Sequence, residues 1–224
     1  TGAIAAVNSV SKAVTSAIAS EGQSILAGDV RFELRNREAT TEERAYIDGL
    51  GQVALSDGLR SMARLEDGSQ QTLAEVKAVD GAYPLYGNFV SDPAMPLPQL
   101  LAKQGDSFGA VAAPMLLERL GIKVGDELLL GNARLKLTGT IITEPDALSD
   151  GFGFAPRLLL SRDALVASGL IQTGSLVEHA YKVRLNDPAR RATIIADTNR
   201  EFPNAGWSIR TSDRAAPSLT ENVN

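Results

Sequence analysis

Residues 60–79 place the tightest limit on what this chain can fold into. Arg60-Ser-Met-Ala-Arg-Leu65 and Thr72-Leu-Ala-Glu-Val-Lys-Ala-Val79 are runs of strand type on either side of Glu66-Asp-Gly68, and an Asp-Gly turn between such runs predicts a β-hairpin. A lone hairpin is marginal in water, so this one requires further strands beside it and an apolar partner for its buried face. The candidates are spread along the whole chain. Asp29–Leu34 alternates polar and apolar residues, and a strand is expected to begin at Gln52. Gly109–Ala112, Arg157–Leu160, His179–Leu185 and Trp207–Ile209 also read as strands. Glu127–Leu130 and Arg134–Thr138 form a second hairpin through Gly131-Asn132.

Helices are expected between these strands. Thr40 stands as an N-cap three residues before Glu43, and the helix it opens closes near Gly49 or Gly51. Pro114 suits a helix start, and Met115–Leu120 gives about two turns before Gly121. Further helices are expected around Asp163–Ser168 and from Asp187-Pro188 to Glu201. The opening third is therefore strand, helix, strand and hairpin, a mixed α/β unit. Pro84, Pro93, Pro96 and Pro98 then mark a connector that also carries Tyr83, Tyr86 and Phe89.

Both ends read as helical extensions. Ile4, Val7, Val14, Ile18 and Ile25 make one narrow stripe at helical spacing, too thin to fill a core, and a continuous helix there would run about 37 Å. It is either a helix packed on the domain or a stalk. Residues 213–224 have weak helical character and little to bury. The chain opens at Thr1 without an initiator Met, signal peptide or lipidation motif, and reads as a segment of something longer. No run reaches the 18 or so apolar residues that a membrane span requires.

Composition narrows the function. With 22 basic against 27 acidic residues the net charge is −5, and no block of like charge interrupts it, which argues against a nucleic-acid surface. The absence of cysteine removes disulfides, thiolate nucleophiles and cysteine-ligated metals. One histidine, His179, cannot make a His-based metal site alone; its position predicts a surface or edge-strand residue rather than a catalytic base. There is no GxSxG and no P-loop. Gly151-Phe-Gly-Phe-Ala-Pro156 lacks a third glycine and precedes a strand, so a mobile loop is expected there. Asp146, Ser149 and Asp150 are too sparse for an EF-hand calcium loop. The reading is of no catalytic, cofactor or metal site, and of no cluster of titratable groups.

Several stretches resemble a known family. Val76-Lys-Ala-Val-Asp80, Tyr83-Pro-Leu-Tyr-Gly87, Leu117-Glu-Arg-Leu-Gly-Ile-Lys-Val-Gly-Asp126 and Gly139-Thr-Ile-Ile-Thr-Glu-Pro-Asp146 look like the periplasmic domain of YbbP-type ABC transporter permeases, in the MacB/FtsX/LolCE class. Phe154-Ala-Pro-Arg157 and Gly169–Ser175 fit the same pattern, so the resemblance covers most of residues 24–186. It implies an α+β fold of two lobes: a porter-like βαβ lobe from 26–85 and 175–212, and a smaller inserted β-rich lobe, 86–174. Stalks at 1–25 and 213–224 would lead to the first two transmembrane helices. It also implies a location in the periplasm at the bacterial inner membrane, and a non-catalytic role. The implied partners are its own transmembrane domain, a cytoplasmic ABC ATPase and a periplasmic esterase, with a lipid-like substrate. The aromatic loops holding Tyr83, Tyr86, Phe89, Phe152 and Phe154 are the expected interaction patch. The alternative is a free-standing soluble ligand-binding module built on a double-psi-like barrel.

Overall fold

The computed structural model of the chain describes residues 20–150 and 155–214, together with 9, 10 and 13. The chain enters through helix α1 (residues 20–26), followed by strand β1 (Val30–Arg35) and helix α2 (Thr41–Leu50). Strands β2 (Gly51–Arg64) and β3 (Gln71–Val79) form the first hairpin. Then come β4 (Val90–Asp92), α3 (Leu97–Leu101), β5 (Lys103–Gln104), β6 (Ser107–Ala112) and α4 (Pro114–Leu120). The second hairpin is β7 (Glu127–Leu130) with β8 (Ala133–Thr143). The last part holds β9 (Arg157–Ser161), α5 (Arg162–Ser168), β10 (Glu178–Leu185), α6 (Ile194–Glu201) and β11 (Ser208–Thr211).

Local chemistry explains most of these boundaries. At α2 the capping box is complete: Thr40 Oγ1 accepts from Glu43 N–H at 3.2 Å, and Glu43 Oε1 accepts from Thr40 N–H at 2.8 Å. Helix α4 begins on Pro114 and stops at Gly121, whose φ of 67° is the left-handed conformation that a C-cap favours. The first turn is closed by Gly68 at φ 75°.

Among the described residues, eleven strands join one mixed sheet in the order β11-β1-β10-β2-β3-β9-β6-β8-β4, with β5 on β6 and β7 between β2 and β8. Because Ala63 and Arg64 of β2 also pair with Leu130 and Leu129 of β7, strands β2, β3, β9, β6, β8 and β7 close into a ring. Its apolar residues, among them Val76, Leu135, Leu137 and Leu158, form a core with Leu116 and Leu120 of α4 and Leu165 of α5. The β11-β1-β10-β2 end of the sheet carries a separate apolar cluster. There Phe32, Leu34, Tyr181 and Val183 meet Ile47 of α2 and Ile194 of α6.

Two expectations are corrected in this fold. The proline-rich connector contains β4 and α3, and Leu97, Leu100 and Leu101 of α3 are buried with Tyr83, Val111 and Leu159. Apolar spacing here overrides the proline signal, with Pro98 accommodated in the first turn of α3. The helix expected from Asp187 to Glu201 is two pieces, a 3-10 turn over Pro188–Ala192 and then α6. Most of the stripe from Ile4 to Ile18, the loop at 151–154 and the tail at 215–224 lie outside the described residues.

Candidate functional site

Alternation along the strands sends opposite chemistries to opposite faces. On β1 and β10, Phe32, Leu34, Tyr181 and Val183 face α2 and α6, so Arg31, Glu33 and Lys182 face the other way. Lys77 of β3 joins them, because it pairs with Gly58 of β2 just as Glu178 of β10 does from the other side. The segment 144–150, between β8 and β9, lays three carboxylates over this face.

The result is a buried charge cluster. Asp146 is fully buried; its Oδ1 accepts from Lys77 Nζ at 2.7 Å and from Tyr83 OH at 2.5 Å, and its Oδ2 from Lys182 Nζ at 2.5 Å. Asp150 meets Lys182 at 2.7 Å, Lys77 at 2.8 Å, and Arg31. Glu144 bridges Lys77 and Arg157, each at 2.9 Å. Arg31 also reaches Glu178 at 3.0 Å and Glu33 at 3.5 Å. Burial disfavours every charge here, and the outcome depends on what surrounds each one. For Asp150, burial is overcome by Lys182, Lys77 and Arg31, which hold its carboxyl well below the usual range. Against the same burial, Asp146 and Asp150 keep Lys77 well above its ordinary value. For Lys182, burial outweighs the two aspartates, and its pKa is lowered. Burial raises Glu178, and neighbouring Glu33 raises it further. The cluster overturns the expectation of no titratable grouping.

This face connects directly to the point where the chain enters. Ser149 Oγ donates to Ile25 O of α1 at 2.8 Å. Asp29, just after α1, accepts from Gln23 Nε2 at 2.8 Å, Tyr86 OH at 3.0 Å and Leu185 N–H at 2.8 Å. Gly22 lies so close to the chain exit after β11 that a Cβ there would overlap Ser212 O. Entry, exit and acidic segment are thus packed together.

A second group sits where α5 meets the open part of the sheet. His179 Nδ1 is 2.7 Å from Asp57 Oδ1, and Arg162 Nε donates to Asp57 Oδ2 at 2.9 Å. His179 is buried on an inner strand between β1 and β2, which corrects its reading as a surface or edge residue. The strand order places it inside, and the Asp57 carboxylate satisfies its ring nitrogen. Among the described residues no group of His, Cys, Asp or Glu is arranged to hold a metal ion.

The aromatic residues singled out in the sequence fall differently. Tyr83 is buried, with its ring 4.7 Å from Lys77 Nζ and its hydroxyl on Asp146. Tyr86 is half-buried against the Arg184 guanidinium at 4.6 Å, and Phe89 packs partly buried on the α3 cluster. Phe152 and Phe154 lie outside the described residues. The cluster residues that sequence reading missed left a faint signal: Lys77 and Lys182 interrupt apolar strand runs. Their partners are remote in sequence, 69 residues away for Lys77 and Asp146, so local pattern could not pair them.

Comparison with solved structures shows which known fold this is. The periplasmic region of MacB from Actinobacillus actinomycetemcomitans matches with a TM-score of 0.51 at 8% identity, over 90% of this chain and 94% of that one. The extracellular domain of the noncanonic ABC-type transporter YknZ from Gram-positive bacteria matches with a TM-score of 0.50 at 11% identity, over 81% of this chain and 100% of that one. The chain therefore has the mixed α+β fold of MacB-like periplasmic domains. In sequence it is similar to the uncharacterized ABC transporter permease YbbP of Escherichia coli (strain K12), 29% identical over 186 residues. That match covers 82% of this chain and 22% of the relative, so the chain spans about a fifth of the relative's length. No family model matches the chain. The resemblance read from the sequence is borne out on both counts.

Proposed function

We propose that this chain is the extracytoplasmic domain of an ABC transporter permease of the bacterial inner membrane, non-catalytic itself. In this reading it couples movement of transmembrane helices, driven by a cytoplasmic ATPase, to a substrate or partner in the periplasm. The observation that carries the reading is the packing of the chain's entry on its exit at Gly22 and Ser212, which suits a domain inserted between two neighbouring helices. The hydrogen bond from Ser149 to α1 extends it: a shift of α1 would pull on the segment whose aspartates grip Lys77 and Lys182. The division into a porter-like lobe, 26–85 with 175–212, and an inserted lobe, 86–174, is part of the same proposal. It is supported by the Phe32–Ile47–Ile194 cluster, drawn wholly from the first of these. A lipid-like substrate and an esterase partner rest on the family resemblance alone.

Orientation is the first thing to test. The chain has no cysteine, so Ser69→Cys in the exposed turn after Gly68 places a single thiol in this segment. In intact cells expressing the full permease with its other cysteines removed, a membrane-impermeant maleimide labels that thiol if the domain lies outside the cytoplasm. Labelling only after lysis overturns the proposal. The competing reading, a free-standing barrel module, draws support from the closed ring of strands; recovery of the natural full-length protein without any membrane would favour it.

A further inference from the structure

Three carboxylates converge on the buried Arg31 guanidinium, and they come from different parts of the chain. Asp150, on Nη1, belongs to the segment that is tied to α1 through Ser149. Glu178 Oε1 and Glu33 Oε2 share Nη2, at 3.0 and 3.5 Å, and both stand on the sheet. The Arg31 Nε–H has no acceptor, so the set is not saturated and a carboxylate that gains charge can draw the guanidinium over. The two glutamates, meeting on one nitrogen, repel each other when both are ionised. Glu178 is the most open of the three to water. Its side chain is 36% exposed beside a cleft of about 700 Å³, against 12% for Glu33 and 8% for Asp150.

The surroundings favour a proton on Glu178. Burial raises its pKa, the charge of Glu33 raises it further, Arg31 pulls the other way, and Asp150 adds to the rise. That last effect is reciprocal: a charge on Glu178 repels Asp150 as much as Asp150 repels it. The other charged groups around Glu178 are engaged elsewhere. Across β1, Arg35 leans on Glu33 at 3.4 Å. Across β2 stands Gly58, with Arg60 next on that face held by Glu75 at 2.5 Å. Beyond Gly58, Lys77 is taken by Asp146 and Asp150, and Arg157 by Glu144. Lys182 of its own strand lies between Asp146 and Asp150, and Arg210 of β11 donates to Ser149 O at 3.3 Å. His179, the only histidine, alternates to the opposite face, onto Asp57.

We propose that Glu178 is a proton-operated latch on the segment 144–150. Protonated, it leaves Arg31 to Asp150 and the segment is held. Ionised, it draws Arg31 toward the Glu33–Glu178 pair and repels Asp150, and the segment loosens. The latch therefore opens as pH rises. It concerns this chain's own packing, and stands or falls separately from the membrane orientation proposed above.

Leu148 lies within the segment and is 70% exposed, and the chain has no cysteine, so a spin label on Leu148→Cys reports how firmly the segment is held. Between about pH 5 and 8 the label should become more mobile in one step. Adding Glu178→Gln, folded as the parent by circular dichroism, should abolish the step and leave the label as restrained as in acid. Glu33→Gln, which removes the repulsion within the pair, should shift the step toward acid pH. Stability gives an independent reading. Folding raises Glu178 above its ordinary 4.5, so its contribution is present below about 4.5 and lost as pH rises through the folded value. Without the label, the urea midpoint of Glu178→Gln should therefore gain on the parent's across the same range, and whatever His179 adds is common to both. A label equally mobile at both ends of the range, a step unchanged in either variant, or a midpoint difference that stays constant with pH overturns the inference.

Discussion

Replacing Asp146 by Asn would leave Lys77 and Lys182 in a dry site with one carboxylate fewer, and breaking a buried pair in this way costs about 3–5 kcal/mol. Urea unfolding measures this directly, and a loss under about 1 kcal/mol would mean that the cluster is wetter than its geometry indicates. Tyr83→Phe removes only the hydroxyl that donates to Asp146, and should cost about 1–2 kcal/mol. The acids also set the pH response. Arg37, through its hydrogen bonds, holds the Glu43 carboxyl at about 2 against an ordinary 4.5. The unfolded chain therefore takes up that proton first, and the stabilisation present above about 4.5 is lost as pH falls toward 2. Asp150 and Asp146 are depressed in the same direction. The urea midpoint should accordingly drop steadily as pH falls below about 5; a flat or rising midpoint would contradict these assignments. Glu43 was legible in the sequence because its partner lies three residues away. Asp146 was not, because nothing local announces which strands its carboxylate will meet.

At the scale of elements, strands and caps were read more accurately than what they enclose. The two hairpins follow from turn residues and alternation over short distances, as do the ends of α2 and α4. Helix α3 and strand β4 were hidden because prolines dominate the local signal while burial decides the conformation. Whether β7 returns to β2 to close the ring is likewise a long-range matter that no window of sequence reports. The junction of α1 with the end of β11 gives a prediction of its own. Gly22→Ala would push a methyl group into the Ser212 carbonyl, so α1 must shift, at a cost of about 1–3 kcal/mol. Hydrogen exchange should quicken around residues 20–29 and in β11 while the ring strands keep their protection. Unchanged protection at the junction would show that α1 and Ser212 are not packed in this way.

The molecule as a whole is knitted by β2, which serves the ring and the open sheet at once. Trp207, the only tryptophan, rests on Phe32 at 5.2 Å and on Phe202 at 5.5 Å, so its fluorescence reports the open end alone. If β2 makes the two ends one cooperative unit, fluorescence and circular dichroism give coincident unfolding curves; separated curves would mean independent lobes. The likeness to YbbP was legible from contiguous motifs such as Tyr83–Gly87, although part of that motif turned out to serve a buried cluster rather than a surface. In the proposed role, movement of α1 passes into the segment 144–150 through the Ser149–Ile25 hydrogen bond. Hydrogen exchange on the full permease in membranes, with its ATPase, tests this most directly by comparing nucleotide-free and ATP-bound states. Changes in protection should concentrate at residues 20–29 and 144–150. Identical exchange at both segments in the two states would contradict it.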